Sequence, residues 1–192
     1  MNLNKVIRKQ NASVNRFMFS MCLIFFSLPV ALIFTHEYNI FLILYLIIIE
    51  MLVVLAVLAR LNKDSLNFKY DGYRLKIKDG IFKSECNIMC DKISIVHAQN
   101  KDKEMKLIII SKAKFRNKYL RKINDNFLKR YPYLGYQYAR LKKLYPENQY
   151  YYIVFRNGGY RKYLLLEELF KKCVHANFTD RAMEQLKGIQ KN

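Results

Sequence analysis

The side chains of this chain that could do chemistry are few and stand mostly apart. The three histidines, His36, His97 and His175, fall on different elements, and each reads as an ordinary structural residue. Cys86 and Cys90 (CNIMC) have three residues between them, with no second cysteine pair and no histidine nearby. A zinc site needs about four convergent ligands, so these two, like Cys22 and Cys173, are expected to be buried or half-buried thiols. A disulfide is not expected either, because a domain facing the cytosol keeps its thiols reduced. The acids are spread out, with no visible carboxylate pair, and Gly158-Gly159 belongs to a turn rather than a phosphate loop. No catalytic residue, metal or cofactor is therefore expected, and the chain reads as a binding protein rather than an enzyme.

Two features remain. Between residues 112 and 143, eleven basic residues (Lys112, Lys114, Arg116, Lys118, Arg121, Lys122, Lys129, Arg130, Arg140, Lys142 and Lys143) stand against one acid, Asp125. Tyr119, Tyr131, Tyr133, Tyr136, Tyr138 and Tyr145 are interleaved with them. Positive charge mixed with aromatic faces suits anionic lipid headgroups, an acidic face of another membrane protein, or single-stranded nucleic acid. The competing reading is a solvated basic helix pair with its tyrosines packed inwards. The second feature is Glu50, alone in a long apolar run. A charge at that depth costs roughly 2.5–3.5 kcal/mol, while each Leu, Ile, Phe or Val returns about 0.3–0.6 kcal/mol. Residues 40–59 hold fifteen of those four types, so insertion survives the acid. Glu50 is then an intramembrane polar contact, within its own hairpin or to another copy, or else part of an ion path in a small transport or secretion subunit. Two helices cannot enclose a path, which favours the contact.

The elements that must position these groups begin with two apolar runs. Residues 17–35 (FMFSMCLIFFSLPVALIFT) carry no charge, and residues 40–59 (IFLILYLIIIEMLVVLAVLA) carry only Glu50. At about 1.5 Å per helical residue each reaches roughly 28–30 Å, the thickness of a bilayer's hydrocarbon core. Joined by residues 36–39, they predict a transmembrane hairpin over residues 17–61, with helices at about 17–35 and 40–60. A secretory signal has a shorter apolar core, and buried helices of a soluble protein would show polar faces. Residues 1–16 hold Lys5, Arg8, Lys9 and Arg16 and no acid, and residues 62–192 hold 29 Lys and Arg against 13 Asp and Glu. Basic flanks stay in the cytoplasm. The short loop, with Glu37 its only charge, is therefore expected outside and both termini inside, with the basic domain held against an anionic leaflet. Richness in Lys, Ile, Asn and Tyr without Trp suggests an AT-rich bacterial genome, hence a bacterial plasma membrane.

Beyond Arg60 and Lys63 the pattern changes from continuous apolar to alternating. Asp71-Gly72 and Asp79-Gly80 flank the alternating residues 73–78 (YRLKIK) and predict hairpin turns, the second leading into Ile81-Phe82. Strands follow at residues 92–97 (KISIVH) and 105–111 (MKLIIIS). Within the insert 112–148, Tyr119, Ile123 and Phe127 recur at helical spacing, and a second short helix runs to Leu144. Residues 149–156 (QYYYIVFR) predict a strand, Asn157-Gly158 a hairpin turn, and residues 160–165 its return strand. Leu166, Leu169, Phe170, Cys173 and Val174 then make a helical face that Asn177 ends, and Thr179 caps a last helix.

Residues 73–82 (YRLKIKDGIF), Ile88 and residues 91–96 (DKISIV) resemble the strand, Gly turn and strand of the bacterial pleckstrin-homology-like membrane proteins. The likeness covers about 25 residues well and the layout of residues 62–192 loosely. The family's proline before the third strand is absent, and the insert is longer than the family has. The resemblance implies an α+β protein: a two-helix membrane hairpin, then an antiparallel, partly open barrel closed by C-terminal helices. It also implies lipid or protein contacts rather than catalysis. The expected partners are thus the bilayer, anionic lipid or another membrane protein, and a second copy through the hairpin, with nucleic acid as the alternative.

Overall fold

The computed structural model describes residues 2–35, 39–101, 104–115 and 119–190. It is an α+β structure that opens with two long apolar helices, α1 (Leu3–Thr35) and α2 (Ile40–Asp64). They run antiparallel: the Gln10 amide, near the start of α1, donates to Asp64 Oδ1 at the end of α2 (2.8 Å). Residues 3–16 contain neither proline nor glycine, so the helix continues well below the apolar run. The basic N-terminal segment is therefore the lower part of α1 rather than a separate tail. No residue in the most apolar eighteen-residue stretch of either helix is buried by protein, which sets both apart from the core helices of a soluble domain. His36 and Glu37 lie outside the described residues.

A single residue, Ser65, separates α2 from a three-stranded antiparallel meander of β1 (Leu66–Asp71), β2 (Arg74–Asp79) and β3 (Cys86–Met89). Gly72, at φ 71°, makes the tight turn that brings Asp71 opposite Arg74. Leu75 and Ile77 face inwards between outward Arg74, Lys76 and Lys78, as the alternation predicts. The second Asp-Gly does not make a hairpin with Ile81-Phe82. Gly80 N–H bonds the Ser65 carbonyl instead (2.9 Å), so residues 80–85 form a loop at the foot of α2.

A five-stranded sheet forms the middle of the domain, in the order β6 (Arg121–Lys122), β7 (Tyr151–Phe155), β5 (Glu104–Ser111), β4 (Ile93–Lys101), β8 (Asn177–Phe178). It is mixed, not wholly antiparallel as expected, because β8 pairs parallel with β4. Both faces are covered. Leu107 and Ile109 of β5 join the core shared with the meander and with α5 (Arg161–Lys172) and α6 (Asp180–Gln190). Ile108 and Ile110 point the other way, onto Phe127 of α3 (Asp125–Arg130) and Leu134 of α4 (Pro132–Leu144). Burial on both sides explains the unbroken apolar run of β5.

Three further expectations are overturned here. Tyr119, Ile123 and Phe127 do not share one helix, because residues 121–122 pair with β7 as β6 and α3 begins only at Asp125. Residues 160–165 are not a return strand but the capping residue Tyr160 and the start of α5. Leu165, Leu166 and Leu169 are fully buried at helical spacing, and Gly158 (φ 94°) and Gly159 (φ 50°) turn the chain into the helix instead of back along β7. A Cβ on Gly158 would overlap Leu66, so this turn is locked to the start of β1. The cysteines are not all unpaired. Cys90, in a single 3-10 turn before β4, and Cys173, capping α5, form a disulfide with their Cα atoms 4.7 Å apart. They are 83 residues apart in sequence, and only the docking of α5 brings them together. Cys86 stays a thiol, pushed up to about 12 by burial and so unreactive at neutral pH.

Thr179 stands just before α6, with its carbonyl accepting from Met183 N–H (3.0 Å). Its hydroxyl meets His97 Nδ1 of β4 (2.9 Å), and the His97 ring stacks on Tyr133 of α4 (5.5 Å). Burial, helped by the nearby Arg181 charge, lowers His97 from 6.5 to about 4. Because the folded value lies below the unfolded one, the stabilisation is complete above pH 6.5 and is lost as pH falls towards 4. It amounts to about 3 kcal/mol at most. Thermal unfolding of the detergent-solubilised chain should show this loss over that window, and His97→Asn should flatten it. A wild-type profile without slope there would contradict a buried neutral imidazole.

Candidate functional site

Between the meander and the five-stranded sheet lies a cleft of about 690 Å³. Its position follows from strand lengths. β6 pairs only with Tyr151 and Tyr152, so the outer edge of β7 from Ile153 to Phe155 has no strand beside it among the described residues. Ile77 and Cys86 of the meander face that gap. Four cations from four elements line it: Lys83 from the loop after β2, Arg121 from β6, Arg130 from the last turn of α3, and Arg156 immediately after β7. Tyr119, Tyr131, Tyr152 and Phe127 supply aromatic walls, and Ser84, Asn124 and Asn126 add neutral polar groups.

The one acid in the lining, Asp79, is already committed. It pairs with Lys83, and its Oδ1 accepts from Asn157 N–H (3.0 Å). No carboxylate pairs with Arg121, Arg130 or Arg156 among the described residues, and all three are exposed. Guanidinium forks match two oxygens of one phosphate or carboxylate, and they hold better at the mouth of a cleft than on open surface. The cleft can hold an anion. No group of three metal-ligating side chains occurs among the described residues.

The predicted basic residues divide by position. Arg121 and Arg130 reach the cleft. Lys142 is structural: its ammonium donates to the carbonyls of Pro146 (2.6 Å) and Asn148 (3.0 Å) after the end of α4. Lys112 lies over the Tyr145 ring (4.9 Å). Lys129, Arg140 and Lys143 are exposed on α3 and α4, and Lys114 and Lys122 are exposed elsewhere. Arg116 and Lys118 lie outside the described residues. The tyrosines split as well, with Tyr131 buried and Tyr138 packed on the core, while Tyr136 and Tyr145 face out. Glu50 is half-buried in α2, and its carboxyl has no hydrogen-bond or ion-pair partner among the described residues.

Lys83 and Arg156 were missed by the sequence reading. Lys83 comes three residues after Asp79-Gly80 and Arg156 immediately before Asn157-Gly158, and a cation near a turn carries no periodic signature. No protein family matches this chain, and neither a curated protein nor a solved structure does.

Removing one cleft guanidinium should cost about 1.5 kcal/mol, roughly tenfold in affinity for a phosphate-bearing anion. Calorimetric titration of the solubilised chain with pyrophosphate should show that loss for Arg121→Gln and for Arg156→Gln. Lys143→Gln, on the outer face of α4, should leave binding unchanged. Equal losses at all three positions would mean diffuse charge rather than a site.

Proposed function

We propose that this chain is a membrane-anchored, non-enzymatic binding module whose cleft takes the phosphate of an anionic lipid headgroup. The observation that carries the reading is three arginines without carboxylate partners around one cleft, in a domain fastened to the foot of two apolar helices. The hairpin lies in a bacterial plasma membrane with both ends cytoplasmic, the side that basic flanks favour. Each basic residue near an anionic leaflet adds on the order of 1 kcal/mol of attraction, so the tether and the charge act together.

The disulfide pulls against a cytosolic domain, since thiols there are kept reduced. Charge placement outweighs it. Cys90 and Cys173 are 5% and 1% exposed, so the bond lies inside the packed domain. The pleckstrin-homology-like reading is supported by the meander, the second sheet and the helices that close the chain; the parallel β8 and the helical cover over the second face depart from that plan. Nucleic acid has one supporting observation, exposed Tyr136 and Tyr145 near Arg140 and Lys143 in sequence, but these lie outside the cleft. Glu50 serves as a contact between hairpins of two copies, because a carboxyl at that depth needs a hydrogen-bond partner.

Short-chain phosphatidylglycerol, short-chain phosphatidylcholine and a single-stranded oligonucleotide, titrated against the solubilised full chain, test the first claim. Phosphatidylglycerol should bind at least about tenfold tighter than phosphatidylcholine, whose phosphate can make the same contacts but whose choline cation is repelled by the arginines. Oligonucleotide binding that survives Arg156→Gln while the lipids are indistinguishable would replace the lipid reading with the nucleic-acid one. For Glu50, cross-linking in native membranes should yield a dimer that Glu50→Gln weakens, and an unchanged dimer yield removes its role.

A further inference from the structure

We infer that the loop at residues 80–83 enters the headgroup layer of the leaflet beside α2, with Ile81 and Phe82 as its apolar tip. These are two consecutive large apolar residues, 42% and 67% exposed, and neither belongs to a core cluster. In a water-facing turn such a pair has no stabilising role; its height above the domain gives it one.

That height is set by hydrogen bonds. Ile81 N–H donates to Asn62 Oδ1 (2.9 Å), and Gly80 N–H to the Ser65 carbonyl (2.9 Å). A Cβ on Gly80 would collide with the same Asn62 amide, so only glycine permits the approach. Asn62 follows Arg60, the residue that ends the apolar run of α2, by two positions, or about 3 Å of rise. Helical side chains lean towards the N-terminus of their helix, which for α2 is the membrane side, so the amide lifts the loop to the level of Arg60. Arg60 in turn sits over Phe17 (5.9 Å), the first residue of the apolar run in α1. Both helices therefore cross out of the apolar zone at one level. The headgroup layer below that level is about 5–7 Å deep, enough to contain Ile81 and Phe82, while Gly80, bonded to Ser65 about 7.5 Å past Arg60, marks its lower edge.

The other turn at the joint stays lower. Tyr160 N–H bonds Gln10 (2.9 Å), and Gln10 precedes Phe17 by seven residues, about 10 Å down the helix. Contact with the leaflet is thus one-sided. The inference rests on the hairpin lying in the bilayer, as proposed above, and adds where the ligand comes from. Lys83 and Ser84 continue from the loop into the cleft lining, so the cleft opens where headgroups are.

The chain has no tryptophan, so a single introduced indole reports its own position. The full chain is reconstituted in vesicles containing phosphatidylcholine brominated near the glycerol end of its acyl chains. Phe82→Trp should show blue-shifted emission and about twofold quenching, as for an apolar side chain at the headgroup–acyl boundary. Tyr73→Trp, at the far tip of the meander about 20 Å away, should show neither. Ile81→Trp repeats the test should the first variant fold poorly. Leu55→Trp, inside the apolar run, separates the two levels of inference. Quenching there without quenching at positions 81 and 82 overturns the loop proposal alone. No quenching at position 55 overturns the membrane reading itself. Blue-shifted but unquenched emission at 82 means that protein covers the loop, and also overturns the proposal.

Discussion

Everything in this structure hangs from the way the last turn of α2 finds hydrogen-bond partners. A helix leaves its final carbonyls without intrahelical donors, and they must be met from elsewhere. Here the globular domain meets two at the joint: Gly158 N–H bonds the Lys63 carbonyl (2.8 Å), and Gly80 N–H bonds the carbonyl of the capping residue Ser65. Gln10 closes the third side, donating to Asp64 and accepting from Tyr160 N–H. Arg60 and Asp64 form an ion pair across the same turn (2.8 Å). The domain is not a bead on a string. Its position is written in hydrogen bonds, to the Gln10 side chain of α1 and to backbone carbonyls at the end of α2, and the donors to those carbonyls are two glycines whose neighbours leave no room for a side chain.

That joint also explains the location of the cleft. The segments that reach up to cap α2 are the loop after β2 and the turn after β7, and each carries one cation, Lys83 and Arg156, away from the joint into the gap between the sheets. The insert supplies the opposite wall through Arg121 and Arg130. Its two helices are therefore not simply a charged appendage. Phe127, Leu134 and Tyr131 make them the cover of the sheet's second face, and only side chains pointing away from that cover are free for recognition.

What could be read from the sequence was whatever depends on local pattern. The apolar helices, the Gly72 turn, β4, β5, β7 and the second helix of the insert all carry periodicity or turn chemistry within a few residues, whereas the Tyr119, Ile123 and Phe127 spacing misled, since a strand and a coil precede α3. Half of the cleft was legible in the same way, because Arg121 and Arg130 fall in an obviously basic stretch. The rest was not, for physical reasons. Asn157-Gly158 carries the chemistry of a hairpin turn, but the Leu165, Leu166 and Leu169 stripe needs a helix to bury it, and tertiary packing prevailed. β8 is two residues long and is a strand only because β4 lies alongside. The Cys90–Cys173 bond and the meeting of Lys83 with Arg156 depend on distant segments docking, which no window of sequence contains.

Ser65 has a mechanical consequence. With one residue between α2 and β1, and that residue's N–H (to Leu61, 3.1 Å) and carbonyl both bonded, there is no swivel between the apolar hairpin and the sheet. A helix advances about 100° per residue, so adding or deleting one residue in α2 would crank the whole domain around the helix axis and pull it off α1. The angular phase of α2 is therefore as much a part of the fold as its hydrophobicity. A twist of the hairpin would therefore be passed to β1 rather than absorbed at a linker.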